Sequence, residues 1–98
     1  MTLRESLTPD ERPRERLARL GPKSLTDAEL LALLIGSGVR GRHAIGVATD
    51  ILLQSGGLRG LQRQTAQQLQ RTKGLGPARA SVLTAAFELA SRTSLEDL

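Results

Sequence analysis

A glycine turn between two helical segments constrains the fold of this chain more than any other feature. Apolar residues at helical spacing lead from Leu69 into Gly74-Leu75-Gly76 and out again to Leu83. The glycines allow a positive φ on both sides of Leu75, which can then enter the core. Pro77 suits the first turn of a helix, because its φ is already helical and it lacks an N–H that would be unpaired there. The pattern predicts two helices joined by a tight turn.

The same outline occurs a second time, 38 residues earlier. Residues 31–38 repeat the pattern of residues 69–76, with a helix, a Gly-x-Gly turn and a further helix. Ser37 stands where the later copy has Leu75, so we interpret the pair as duplicated hairpins of which the first is degenerate. The candidate residues of the first hairpin are Gly36, Gly38, Arg40 and Arg42. Its two arginines are equally well explained as a solvated charge pair or as a contact to a second DNA strand.

Start and stop signals predict a compact all-α bundle of about five short helices, with capping boxes at Thr26–Glu29 and Thr65–Gln68. No segment alternates β-branched and polar residues, so we expect no sheet. The predicted helices cover about residues 13–20, 27–35, 42–55, 66–72 and 77–92, with one helical turn at 58–61. We divide the chain into an arm and short helix (1–23), a core domain (24–92) and the start of a linker (93–98).

The last helix carries small and apolar residues that we expect to face its neighbours. Ala80 is predicted to face the hairpin, and Val82 and Leu83 to enter the core. The apolar stripe that we expect to pack consists of Ala78, Val82, Ala85, Ala86 and Leu89.

Positive charge concentrates around the later turn. The net charge is +4, and residues 57–92 hold six basic residues and one acidic residue. A basic balance is typical of proteins with anionic partners, commonly nucleic acids. Phe87 is the only aromatic residue, whereas modules that read single strands stack bases on several aromatic rings. The sequence therefore favours contact with the backbone of a duplex.

The later turn combines the features of a phosphate-binding site. The first N–H groups of a helix have no acceptor within it, and they lie at the positive end of its dipole. We expect the amides of Leu75, Gly76 and Ala78 to hold one phosphate, and Lys73 and Arg79 to hold the same phosphate or its neighbour. Such contacts carry no base information, so binding should be non-specific. The candidate DNA-binding residues are Arg71, Lys73, Gly74, Leu75, Gly76, Ala78 and Arg79.

Other kinds of site fit the sequence less well. There is no cysteine and one histidine, His43, so we expect no metal, no cofactor and no catalytic residues. Residues 36–41 match the dinucleotide fingerprint G-x-G-x-x-G, but they follow a predicted helix and lack the acidic residue that binds the ribose. No apolar run is long enough to span a membrane and no secretory signal is present. We therefore expect a cytoplasmic protein without a membrane partner.

Three segments of the chain resemble the N-terminal region of the RadC family. They are Glu11-Arg-Pro-Arg-Glu-Arg-Leu17, Ser24-Leu-Thr-Asp-Ala-Glu-Leu-Leu31 and Gly74-Leu-Gly-Pro-Ala-Arg-Ala80, in the order of the family. The later turn resembles the helix-hairpin-helix motif of DNA-repair and recombination proteins, although Thr72 stands where that motif usually has an aliphatic residue. The pair is similar to the tandem arrangement in the second domain of RuvA and in endonuclease III-type glycosylases.

The RadC resemblance implies a tandem helix-hairpin-helix domain, followed by a JAB/MPN metalloprotease-like domain that binds zinc and is absent from this chain. Two hypotheses follow. The first is a domain of a DNA-repair protein that binds double-stranded or branched DNA without catalysis. The second is a protein-interaction module that positions the absent JAB/MPN domain. A glycosylase-like enzyme is disfavoured, because the chain lacks an aromatic wall for a flipped base.

Overall fold

The computed structural model describes residues 12–36 and 44–96, and the secondary structure in this part of the chain is entirely helical. The all-α prediction is therefore confirmed. A 3-10 turn at Pro22–Ser24, which was not predicted, follows the first helix. The helices are α1 (Pro13–Leu20), α2 (Asp27–Ile35), α3 (Ala44–Ser55), α4 (Leu58–Gln62), α5 (Ala66–Arg71) and α6 (Gly76–Glu96).

Two capping boxes begin α2 and α5, as predicted. At α2, the Thr26 amide donates to the Glu29 carboxylate at 2.9 Å, and the Glu29 amide donates to Thr26 Oγ1 at 3.2 Å. At α5, Thr65 and Gln68 make the same reciprocal pair, at 2.8 and 3.1 Å. Each box satisfies two amides that a helix start leaves without acceptors, which explains why the sequence signal located both starts correctly.

An ion pair ties α1 to α2. Arg16 Nη2 donates to Glu29 Oε2, and both side chains are largely buried. The Thr26 amide and the Arg16 guanidinium both favour the charged carboxylate, and together they lower the pKa of Glu29 against the opposing effect of burial. Glu29 therefore caps its own helix and holds the preceding one.

The core lies where α2, α3, α5 and α6 meet. α2 packs against α3, α5 packs against α6, and α6 also contacts α2, while α4 lies against α3. Phe87 is half-buried at the edge of this core. The buried residues in it are Leu31, Ala32, Ile35, Val47, Ala48, Ile51, Leu61, Leu69, Leu75, Ala80 and Leu83.

The face of α6 that packs is not the predicted stripe. Ala80 and Leu83 are buried as expected, but Val82 is 43% exposed and Leu89 is 65% exposed. Ala78 and Ala85 are exposed as well, and only Ala86 of the stripe is half-buried. The helix is rotated so that Leu83 and Phe87 face inward, because burying these two large side chains removes more apolar area from water than burying a stripe in which three of the five residues are alanines.

The last helix is also longer than predicted. It continues to Glu96, four residues into the segment that was predicted to begin a linker. The division into arm, core domain and linker stays a prediction. Residues 1–11 of the predicted arm, and the predicted start of the third helix at Arg42, lie outside the described residues.

Candidate nucleic-acid interface

The turn between α5 and α6 is closed by two backbone hydrogen bonds. The Thr72 amide donates to the Leu69 carbonyl oxygen at 3.0 Å, and the Leu75 amide donates to the Thr72 carbonyl oxygen at 3.1 Å. Gly74 and Gly76 have φ values of 95° and 70°, a region that side chains other than glycine rarely occupy. Leu75 between them is 3% exposed. The prediction that Leu75 enters the core is thus confirmed, and its buried side chain is called the plug of the turn below.

Of the three backbone amides predicted to bind phosphate, one already donates a hydrogen bond within the turn. The Leu75 amide already has the Thr72 oxygen as its acceptor, so Leu75 contributes a buried side chain and its amide is not open to an outside phosphate. Gly76 and Ala78 lie in the first turn of α6, where amides have no acceptor within the helix. Neither amide forms a hydrogen bond with another residue of the described ranges.

Two exposed cations shortly precede this helix start in the chain. Arg71 is the last residue of α5, and Lys73 lies in the turn itself. Both are exposed, and neither makes an ion pair or a side-chain hydrogen bond within residues 12–36 and 44–96. Between residues 57 and 92 the sole acidic residue is Glu88, which is paired with Arg92 at 2.9 Å. The cations and the N-terminal end of the helix dipole therefore add to a local positive potential.

Arg79 is placed differently from the other two cations. Its Nε donates to the carbonyl oxygen of Ile35 at 3.2 Å, and its Nη1 donates to the carbonyl oxygen of Gly74 at 3.5 Å. The side chain is half-buried. Sequence reasoning did not identify this role, because the spacing of Arg79 within its own helix says nothing about a carbonyl 44 residues away.

The first predicted hairpin is described only at its beginning. Gly36 ends α2 with a φ of 80°, and its amide donates to the Ala32 carbonyl oxygen at 3.0 Å. The run before Gly36 is helix α2 and not a strand, so the structural context of a dinucleotide-binding turn is absent there. The other predicted residues of this turn, Gly38, Arg40 and Arg42, lie outside the described residues, as does His43.

The described ranges contain neither a candidate metal site nor a helix suited to spanning a membrane. Within them, no three histidine, cysteine, aspartate or glutamate side chains are grouped so that they could hold a metal ion. In the same ranges, none of the helices combines the length and apolar character needed to cross a bilayer.

Relatives of this chain are found in several bacteria. A UPF0758 protein of Bordetella petrii is 52% identical over 98 residues, which are 100% of this chain and 44% of the relative. A UPF0758 protein of Xanthomonas campestris is 53% identical over 89 residues, 91% of this chain and 40% of the relative. One from Geotalea uraniireducens is 52% identical over 85 residues, 85% of this chain and 37% of the relative. The chain thus spans less than half the length of these relatives.

No solved structure matches the chain significantly. Residues 5–81 match a family described as UPF0758 N-terminal. The matched segment includes the α2 capping box, both glycine turns and Arg79. The chain therefore belongs to the UPF0758 N-terminal family.

Proposed function

We propose that this domain binds double-stranded or branched DNA without sequence preference, through the phosphate backbone. The observation that carries the proposal is the start of α6, where the amides of Gly76 and Ala78 lack acceptors among the described residues. Arg71 and Lys73, both exposed, lie in the few residues of the chain that lead into this helix start. Open amides at a helix N-terminus suit a phosphate oxygen, and the two cations add attraction that does not depend on base sequence.

We further propose that the two halves of the domain form a tandem helix-hairpin-helix unit, like the second domain of RuvA. The pair α5 and α6, joined at residues 72–75, supplies the later hairpin. The pair α2 and α3, packed against each other, supplies the earlier one. Contact between α2 and α6 supports placing the two hairpins side by side.

In this proposal the domain serves a RadC-type DNA-repair protein by binding, without catalysis of its own. The resemblance of residues 11–17, 24–31 and 74–80 to the RadC family supports this assignment. The relatives are more than twice as long as the segment they share with this chain, so the proposed JAB/MPN domain has room in them.

Two phosphates contacted by one turn make a weak site. Each neutralised phosphate of a B-form duplex contributes a slope of about −0.9 to the dependence of log affinity on log salt. We therefore expect a total slope of about −2, and binding that is measurable mainly at low salt.

Titration of a labelled duplex at two salt concentrations tests the proposal. The double variant Arg71→Glu/Lys73→Glu should abolish binding and leave the helical circular dichroism unchanged. Arg14→Glu, a reversal of an exposed cation on α1, is the matched control and should bind nearly as the parent does. No binding by the parent at low salt, or equal loss in both variants, would refute the proposal. A branched substrate in the same titration tests the preference between DNA structures.

A protein-interaction module is the second candidate function, supported by apolar surface away from the turn. Leu53 is 76% exposed and lies at an open, mainly apolar depression of about 270 Å³. Val82 and Leu89 add exposed apolar surface on α6. Such surface favours a protein partner over a nucleic acid. The depression is lined by Ala28, Thr49, Leu52, Leu53, Gly56 and Gly57.

A further inference from the structure

Arg79 connects the ends of two segments that are distant in the sequence. Ile35 is the last residue of α2, and its carbonyl is one of those that a helix end leaves without a donor from the helix. Arg79 Nε supplies that donor at 3.2 Å, while Nη1 reaches the Gly74 carbonyl at 3.5 Å. One rigid, planar guanidinium thus holds carbonyls that adjoin both glycine turns.

From this geometry we infer that Arg79 is a positioning residue, which acts on DNA through the turn and not as a ligand of phosphate. This inference rests on the proposed function. Arg79 fixes the Gly74 carbonyl, and Gly74 lies next to the Leu75 plug and the open amide of Gly76. By holding Gly74 against the end of α2, the side chain sets the place at which the amides of α6 meet a duplex.

A positioning role for Arg79 and a phosphate contact for Lys73 lead to different responses when the side chain is changed and its positive charge is kept. A lysine at position 79 keeps the positive charge, but its single ammonium cannot reproduce two donors held in one plane. A phosphate ligand tolerates that change, because lysine also binds phosphate as a point charge. A brace between two carbonyls does not tolerate it.

Duplex titrations of Arg79→Lys and Lys73→Gln test the inference. Arg79→Lys should lower affinity about tenfold at every salt concentration and leave the salt slope near that of the parent, since the number of phosphates contacted is unchanged. Lys73→Gln should reduce the slope by about 1. Full affinity in Arg79→Lys would overturn the inference.

A control matched in stability distinguishes positioning from a general structural role. Ile51 is buried in the core on α3, and Ile51→Val should lower the melting temperature without touching the turn. Titrations well below both melting temperatures should find Ile51→Val binding as the parent does. If it loses as much affinity as Arg79→Lys, the effect is one of stability and the inference fails.

The side chain of Arg79 can also be followed directly in the parent protein while duplex is added. The side-chain Nε–H signal of Arg79 in a ¹⁵N-labelled sample should stay in place when duplex is added, whereas the signal of Arg71 should shift. Equal shifts would make Arg79 a phosphate ligand and overturn the inference. If the parent binds no DNA, the proposed function fails by itself. The brace is then tested by the amide signals of Gly36 and Gly74, both of which Arg79→Lys should move.

Discussion

Gly60 lies so close to Ser55 that a Cβ at residue 60 would come within 1.7 Å of the Ser55 carbonyl oxygen. The short helix α4 therefore approaches the end of α3 in a way that only glycine permits. Because α4 leads directly towards α5, this approach sets the course of the chain before it reaches α5 and the glycine turn.

Gly60→Ala should consequently destabilise the fold. The new methyl group can be accommodated only if the backbone of α4 moves, and overpacking of this kind costs about 2 kcal/mol in the free energy of unfolding. Urea unfolding followed by circular dichroism measures the loss. Arg59→Ala, an exposed change in the same helix, is the control and should stay within about 0.5 kcal/mol of the parent. A Gly60→Ala variant as stable as the parent would mean that α4 packs further from α3.

Glu29 should make the stability of the domain depend on pH. Its pKa is lowered by the Thr26 amide and by Arg16, so its contribution is complete above the ordinary carboxyl range near about 4.3 and is lost as the pH falls through the lowered value. Glu29→Ala should cost about 1 kcal/mol at about pH 7 and less at about pH 3. Unfolding by urea at the two pH values measures the difference.

The capping box of α5 provides an uncharged control for that experiment. Gln68 takes the place of Glu29 in the same arrangement with Thr65, and it does not titrate. Gln68→Ala should therefore cost about 1 kcal/mol at both pH values. An equal pH dependence in the two variants would contradict the role given to the Glu29 carboxylate.

Because of the rotation of α6, we expect two leucines of that helix to contribute very differently to the free energy of unfolding. Leu83 is fully buried, whereas Leu89 is 65% exposed. Leu83→Ala should lower the free energy of unfolding by about 3 kcal/mol, because it removes buried methyl groups and leaves a cavity. Leu89→Ala should change it by less than about 0.5 kcal/mol. Thermal or urea unfolding of both variants shows which face of α6 is packed. A large loss of stability in Leu89→Ala would mean that the predicted stripe, and not the face with Leu83, packs against the core.

The plug of the turn should link stability to the proposed DNA contact. Leu75→Ala should cost about 3 kcal/mol, since the side chain is buried with the core. It should also weaken duplex binding under conditions where the variant is still folded, because the turn loses the anchor between its two glycines. Undiminished binding by the folded variant would show that the shape of the turn does not matter for DNA.

Helix starts were predictable from the sequence because their signals are local. Thr26 with Glu29 and Thr65 with Gln68 each lie within one turn of the amides that they satisfy. The rotation of α6 was not predictable in this way. Both of its faces carry apolar or small residues, and the choice between them depends on how much area each buries against the other helices.

The sequence predicted the shape of the candidate site, but it did not predict which backbone amides are left without an acceptor. The order Gly74-Leu75-Gly76 indicated a turn with a buried centre, which the structure has. That the Leu75 amide is used inside the turn depends on where the Thr72 carbonyl points, and residue types do not specify that direction. The contact of Arg79 with Ile35 joins residues 44 apart, so it follows from the tertiary packing alone.

The uninterrupted length of α6 has a mechanical consequence. Its 21 residues give a rod of roughly 30 Å, with the glycine turn at one tip and Glu96 at the other. Because a continuous helix is stiff in both bending and twisting, a partner bound at its first end also determines the orientation of a group attached at its last end.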